Sequence, residues 1–434
     1  MNRILFYLQG YVKKIWFRCL LSCIIAMSAF FVGPYFEIFM PAGLDKIVSQ
    51  EGLAEILKIL ASSMLAVSIF SLSIIVQAFS SATSNASPRA NRLLMENASS
   101  NNALGTFIGS FLFSVVGLIG LSSNYYSEKV VTLLFFLTLA MILIIVVVFL
   151  GWIDQVSKLG RVNVTIQMVE NALINAINIR VESTSLNSRS TEELNPSQTS
   201  IQYPIPIDKI GYIQYIDIEA LNETAESNDI NIIIQVNAGT FVDSVNPFVF
   251  SNTELSEDLH KTIANAFIVG QDRTFSQDPR FGFVVLSEIA LKALSPAVND
   301  PGTAVDILGS HVRALKHWHD AIKNKHAEQS VKVTDSRKTS KVNEKQHANA
   351  DNPMYSRIYS KPIDGSDVLE DIFGQMIIDA ASSRIVAVRL RKALHTIEQF
   401  NDEDFAPHVH EWYVLLQERC QKYFQPAELA KIFK

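Results

Sequence analysis

The chain has 434 residues, 48% of them hydrophobic and only 18% charged, with a net charge of −6 and a mean hydropathy of +0.19. This composition excludes a disordered chain and argues against a purely soluble enzyme, and the lack of a basic excess argues against nucleic acid as a partner. The three cysteines, Cys19, Cys23 and Cys420, make neither a disulfide framework nor a zinc spacing, so they read as small hydrophobes and no metal or cofactor is expected.

The apolar content is concentrated near the start. From Arg18 to Arg161, both included, there are 15 charged residues, and four intervals hold none: Cys19–Phe36, Ile59–Pro88, Asn97–Ser127 and Val130–Ile153. A helix crosses the hydrocarbon core with about 20 residues, so each interval can hold one crossing. Spans are expected at about 15–36, 57–82, 103–123 and 130–152, which makes residues 1–153 a four-helix transmembrane bundle. Arg3, Lys13, Lys14 and Arg18 precede the first span, Arg89 and Arg92 lie between the second and third, and Lys158 and Arg161 follow the fourth. That asymmetry predicts a multi-pass protein with both termini in the cytoplasm.

The spans are not uniformly lipid-like. Steps of three and four residues along the second bring Ser62, Ala66, Ile69, Ser73, Gln77, Ser80 and Ser84 to one side. Polar groups facing hydrocarbon are costly, so this stripe is expected to face protein or water. Ser62, Ser73, Gln77, Ser80 and Ser84 are therefore candidate pore-lining residues, with hydrogen bonding inside a helix bundle as the other reading. The third span carries a small-residue row, Gly105, Gly109, Ser114 and Gly117, suited to close helix packing and to a homo-oligomer. No Asp, Glu, Lys, Arg or His lies in mid-span, which suits a channel for ions or small solutes better than a proton-coupled carrier.

Residues 154–180 read as a connecting amphipathic helix, with Leu159, Val162, Ile166, Val169, Leu173 and Ile177 in helical register. This stripe is either a self-associating stalk or a face packed on the domain that follows. Residues 181–202 are a polar linker, and 203–255 read as a small β-rich, sandwich-like module with a short helix near Glu219–Glu226. Within it, VNAGTFVDSVNPFVF resembles the hairpin of biotinyl- and lipoyl-type modules without their modifiable lysine. Residues 256–322 form a helical subdomain in which Asp278-Pro279 and Asp300-Pro301 each place a cap before a first-turn proline. Arg273, Asp278, Arg280, Asn299, Asp300 and Thr303 are a candidate ligand pocket at two helix N-termini, although capping alone accounts for both aspartates. His311, His317 and His319 read as surface histidines. Residues 323–352 read as a disordered insertion and 353–434 as C-terminal helices, with Asp367 starting one of them and Arg384, Arg389, Arg391 and Lys392 forming a basic cluster. That cluster is either a solvated face or a contact for anionic lipid or a partner.

No phosphate-binding loop, HExxH, CxxC or GxSxG is present, so nothing indicates an enzyme. Two stretches, ASSMLAVSIFSLSIIVQAFSSATSNASPRANRLL with LGTFIGSFLFS, and QDPRFGFVVLSEIALKALSPAVNDPGTAVDIL, resemble a bacterial family of membrane proteins catalogued as a domain of unknown function. The resemblance covers nearly the whole chain and implies a four-span inner-membrane protein with a cytoplasmic α+β domain. It brings no activity or catalytic residue. The expected function is an oligomeric, polar-lined channel gated or assembled by the cytoplasmic domain; the alternative is a membrane-tethered scaffold or sensor that binds a ligand or protein partner.

Overall fold

The computed structural model describes residues 48–90, 98–123, 126–158, 161–183, 188–194, 202–339, 355–400 and 402–434, with a few single positions between them; the side chains of 82–85, 98–101, 183 and 326–339 are outside the description. Most of the first expected span, about 15–36, therefore lies outside the described residues. The chain divides into two compact units, one drawn from 4–84 and 88–165 and the other mainly from 166–434.

The first unit contains three helices long and apolar enough to cross a membrane among the described residues: α1 (Gln50–Asn85), α2 (Ala98–Ser122) and α3 (Glu128–Val156). All three extend past the apolar cores read from the sequence, because flanking polar residues continue the helices. Ser127 caps α3 by accepting from the Val130 amide. Leu53 and Leu57 of α1 pack with Phe113 and Leu121 of α2 and Leu134 of α3 at one end. Met64, Phe107, Ile145 and Trp152 form a second apolar cluster. Between them, Ser110 Oγ lies 3.3 Å from Met141 Sδ and ties α2 to α3.

The second unit opens with α4 (Val162–Ser183), whose Val169, Leu173, Ala176 and Ile177 are fully buried. Of the two readings of this stripe, packing onto its own domain is the one observed from Ile166 onward. The expected linker 181–202 contributes a strand, β1 (Ser188–Ser190), followed by a 3-10 turn at Thr191–Glu193. Next come β2 (Tyr203–Pro204), β3 (Gly211–Ile216), α5 (Ile218–Ser227), β4 (Ile232–Ile234), β5 (Phe241–Val242), β6 (Val249–Ser251), α6 (Glu257–Asn265) and β7 (Phe267–Gly270).

The module expected at 203–255 is not self-contained. Its strands divide between two sheets, one ordered β5-β3-β7 and one ordered β1-β8-β4-β6-β2, where β8 (Tyr355–Ser360) comes from the stretch expected to be only helical. β8 runs parallel to both β1 and β4, with Ile358 opposite Ile232. The segment resembling a biotinyl-type hairpin is not one: β5 pairs with β3, and β6 pairs with β4 and β2. The apolar faces of these strands demand a common core, and Ile213, Leu221, Ile232, Val249, Phe267 and Ile358 supply it.

The helical part consists of α7 (Pro279–Leu294), α8 (Pro301–Thr339), α9 (Gly365–Ala380), α10 (Arg384–Gln399), α11 (Ala406–Cys420) and α12 (Pro426–Ile432). α7 is apolar nearly all round and is buried among α8 and α9, as its sequence demands. α8 continues through Thr339 into the stretch read as disordered, since that stretch carries no Gly or Pro to stop it before Thr339; residues 340–354 lie outside the description. α9 is capped by Asp364, which accepts from the Ser366 amide, rather than started by Asp367.

Candidate functional site

The N-terminus of α7 gathers several polar contacts of the second unit. Asp278 caps the helix by accepting from the Phe281 amide at 3.1 Å, while Arg273 donates from Nε and Nη2 at 2.8 and 3.0 Å. This fork fixes the carboxylate in both position and orientation. The backbone at Gly239, with φ +89°, lies against the same carboxylate; a Cβ there would stand 1.9 Å from Asp278 Oδ2. Arg180 of α4 is buried nearby and donates to Asn237 Oδ1 at 2.8 Å and to the Lys361 carbonyl at 3.4 Å. Burial lowers its pKa to about 10, against the opposing pull of the Asp278 charge.

The six residues expected to form a ligand pocket fall into three separate arrangements. Arg273 and Asp278 bond to each other. Arg280 turns to α9, with Nε donating to Asp371 Oδ2 and Nη1 to Asp367 Oδ2, each at 2.6 Å. Asn299 sits exposed in the left-handed region, with φ 49°, and Asp300 caps α8 through the Thr303 amide at 3.1 Å and the Thr303 hydroxyl at 2.6 Å. Those two bonds hold the Asp300 carboxyl below its ordinary range. Caps and ion pairs take up all of these charged groups, and none of the six lines the cavity formed beside the five-stranded sheet.

That cavity, of about 590 Å³, lies elsewhere and was not legible as a motif. Glu192 reaches it from the turn after β1, Gln235 from the end of β4, Lys361 and Asp364 from the turn after β8, and Asp404 and His408 from the start of α11. Partial burial, then the charges of Asp402, Glu403, Asp364 and Glu192, push the Asp404 carboxyl above its usual range. The contributing segments are far apart in sequence, so only the folded sheet shows their proximity. No metal-binding cluster of His, Cys, Asp or Glu occurs among the described residues.

The expected surface histidines divide. His317 lies 2.7 Å from Asn178 Oδ1, and His319 bonds to Asp402. His311, however, is fully buried, with its ring against Phe283. It shares a helix face with Ile307, Leu308, Ala314 and Leu315, a register that signalled burial. Burial lowers its pKa to about 4. Cys420 is buried as well, and burial raises its thiol to about 11; Cys19 and Cys23 lie outside the described residues.

In the first unit, the polar stripe of α1 lies on its exposed face. Ser62, Ala66, Ile69, Ser73, Gln77 and Ser80 are all exposed, opposite a buried face of Leu57, Met64, Ser68, Ser71 and Ile75. Ser84 belongs to the helix, but its side chain is outside the description. The Ser62 and Ser73 hydroxyls donate back to the Ile59 and Ile69 carbonyls at 3.0 Å each. Serine in a helix thus satisfies itself, so the hydroxyls demand less shielding than the stripe alone implied. Gln77 has no such recourse, and its amide meets no partner among the described residues. On α2, Gly105, Gly109, Ser114 and Gly117 are all buried, and Ser114 Oγ donates to the Ser110 carbonyl at 2.8 Å.

Residues 12–396 match the model of a family described as "Predicted membrane protein (DUF2254)". Uncharacterized proteins of Mycobacterium bovis and Mycobacterium tuberculosis are each 28% identical over 130 residues, which is 29% of this chain and 25% of the relative. The matched stretch thus spans a quarter of the length of these curated relatives. No solved structure matches the chain.

Proposed function

The chain belongs to this family of predicted membrane proteins, and from that premise we propose that it is an oligomeric membrane protein whose α1 faces come together around a polar path for ions or small solutes. Gln77 carries the reading. Its amide has two donors and an acceptor, lies on the exposed face of a helix suited to crossing a membrane, and finds no partner among the described residues of its own chain. Leaving such a group in hydrocarbon costs about 1–3 kcal/mol or more, so a second copy of α1 or a file of water is the favoured neighbour. The row of small residues on α2 is buried within the chain's own helices, which leaves the exposed face of α1 free to meet a second copy.

In this proposal the protein resides in the bacterial inner membrane with both termini in the cytoplasm, and the second unit assembles or gates the path. No step of the proposal needs a cofactor or catalytic residue. The test is solute flux and single-channel conductance of purified protein in liposomes, with oligomeric state read by mass photometry in nanodiscs. Gln77→Leu is expected to lower conductance at least several-fold while preserving insertion. Absence of flux in the parent protein, or an unchanged Gln77→Leu variant, overturns the reading.

A further inference from the structure

The outer face of α10 has a composition that the fold itself does not require. Its buried side is complete: Val386, Ala387, Leu390, Ala393, Leu394 and Ile397 fill the interior of the second unit. On the other side Arg384, Ile385, Arg389 and Lys392 are exposed, and Ile385 shows 63% of its surface to the exterior. None of the three cations joins an ion pair among the described residues. Arg384 is also at the first position of the helix, where the macrodipole presents its positive end and disfavours a cation. No acidic residue occupies that first turn, and Ser383 makes no side-chain cap bond there. Stability would be better served by acids at this end and by a polar residue in place of Ile385. The face is therefore suited to something outside the chain.

We infer that this face of α10 docks on an anionic lipid surface, with Arg384, Arg389 and Lys392 meeting phosphate headgroups and Ile385 entering the acyl boundary. Charge complementarity selects the occupant. A bilayer is the one surface that a chain with membrane-crossing helices always has beside it, and cations flanking an exposed aliphatic side chain are the elements of an interfacial helix. An acidic protein surface would use the same cations but would have no use for a protruding isoleucine unless it carried a matching apolar pocket. Because the chain is already tethered, three cations at about 1 kcal/mol each suffice to weight the docked arrangement on the order of a hundredfold.

The experiment uses the full chain in nanodiscs of phosphatidylcholine alone or mixed with phosphatidylglycerol. An Ile385→Cys variant is labelled with a maleimide probe and compared with the parent chain, and a Val245→Cys variant, at an 82% exposed position, serves as the control. Labelling at 385 is expected to slow on the order of tenfold in the anionic discs, to recover in high salt, and to recover again in the Arg389→Glu, Lys392→Glu background. The control is expected to label equally in both discs. Equal rates at 385 in the two lipids overturn the inference, as does equal slowing at 385 and 245. Protection that appears only in native membrane vesicles also overturns it, since it assigns the face to a protein partner. Both charge reversals are on the exposed side, so a retained melting temperature separates lost docking from lost fold.

Discussion

A neutral imidazole in an apolar interior makes stability depend on pH in one direction. His311 is fully buried on α8, between the Phe283 ring and the region of the Glu170–Arg313 ion pair, and neither ring nitrogen has a hydrogen-bond partner among the described residues. Its folded pKa is lowered from 6.5 to about 4. The unfolded chain therefore takes up a proton below pH 6.5, whereas the folded chain refuses it until about pH 4. Stability is complete above the unfolded value and is lost as pH falls through this window, at up to about 1.4 kcal/mol per pH unit. His311→Leu keeps the volume roughly and removes the titration. Chemical denaturation between pH 7 and 5 (values chosen to stay above the carboxylate range) is expected to show the parent chain weakening relative to the variant. Glu170 acts lower down: Arg313 holds its carboxyl below 4.5 against the opposing effect of burial, so its contribution is lost only in more acidic solution. Parallel curves for parent and His311→Leu would show that the buried ring is not what senses pH.

Among elements, the packing of α4 on α7 shows where sequence reading succeeds and where it stops. The apolar register of α4 from Ile166 to Ile177, the extent of α7 and its Asp278 cap were all legible, because each depends on residues within one or two helical turns. What α4 packs against was not legible. Gly282 looks like a weak point in a helix, yet a Cβ there would stand 2.7 Å from Leu173 Cβ, and only the fold shows that the missing side chain is what lets the two helices approach. The same limit explains the candidate pocket. Local sequence placed Asp278 and Asp300 correctly as caps but could not show that Arg280 reaches Asp367 and Asp371 on a later helix. On propensity alone Gly282→Ala would stabilise α7 by about 1 kcal/mol. Overpacking against Leu173 costs about 1–3 kcal/mol, so net destabilisation is expected. Leu173→Ala removes the Cγ and Cδ1 contacts but keeps the Cβ, so it relieves part of the clash while opening a cavity of its own. In a double-mutant cycle by urea unfolding, the pair is expected to cost less than the two single changes together. Strict additivity, or a stabilised Gly282→Ala protein, would mean that the helices are not in close contact there.

For the whole molecule, the strand β8 decides what can fold alone. It sits between β1 and β4, so the five-stranded sheet has no continuous middle until a segment from well beyond α8 arrives. Local composition divided this region into a linker, a β-module and a helical tail, and that division failed because parallel pairing across long separations leaves little local trace. The helix α4 is equally integral. It supplies Leu173 against Gly282, Glu170 to Arg313, and Arg180 to both Asn237 and the Lys361 carbonyl, and so reaches α7, α8 and the two turns flanking the sheet. A fragment of residues 203–255 leaves the β8-facing edge of β4 unpaired and removes Ile263, Ala266, Phe267 and Ile358 from the shared core. It is expected to be unfolded or aggregated by circular dichroism and amide dispersion. A fragment of residues 162–434 retains every one of these contacts and is expected to melt cooperatively, while one starting at 184 loses most of that cooperativity because Arg313, Asn237 and the floor beneath Gly282 all lose their partners. A dispersed, native-like spectrum from 203–255 alone would show that the long-range strand adds to a finished module, in which case the sheet is not the unit that binds this half of the chain together.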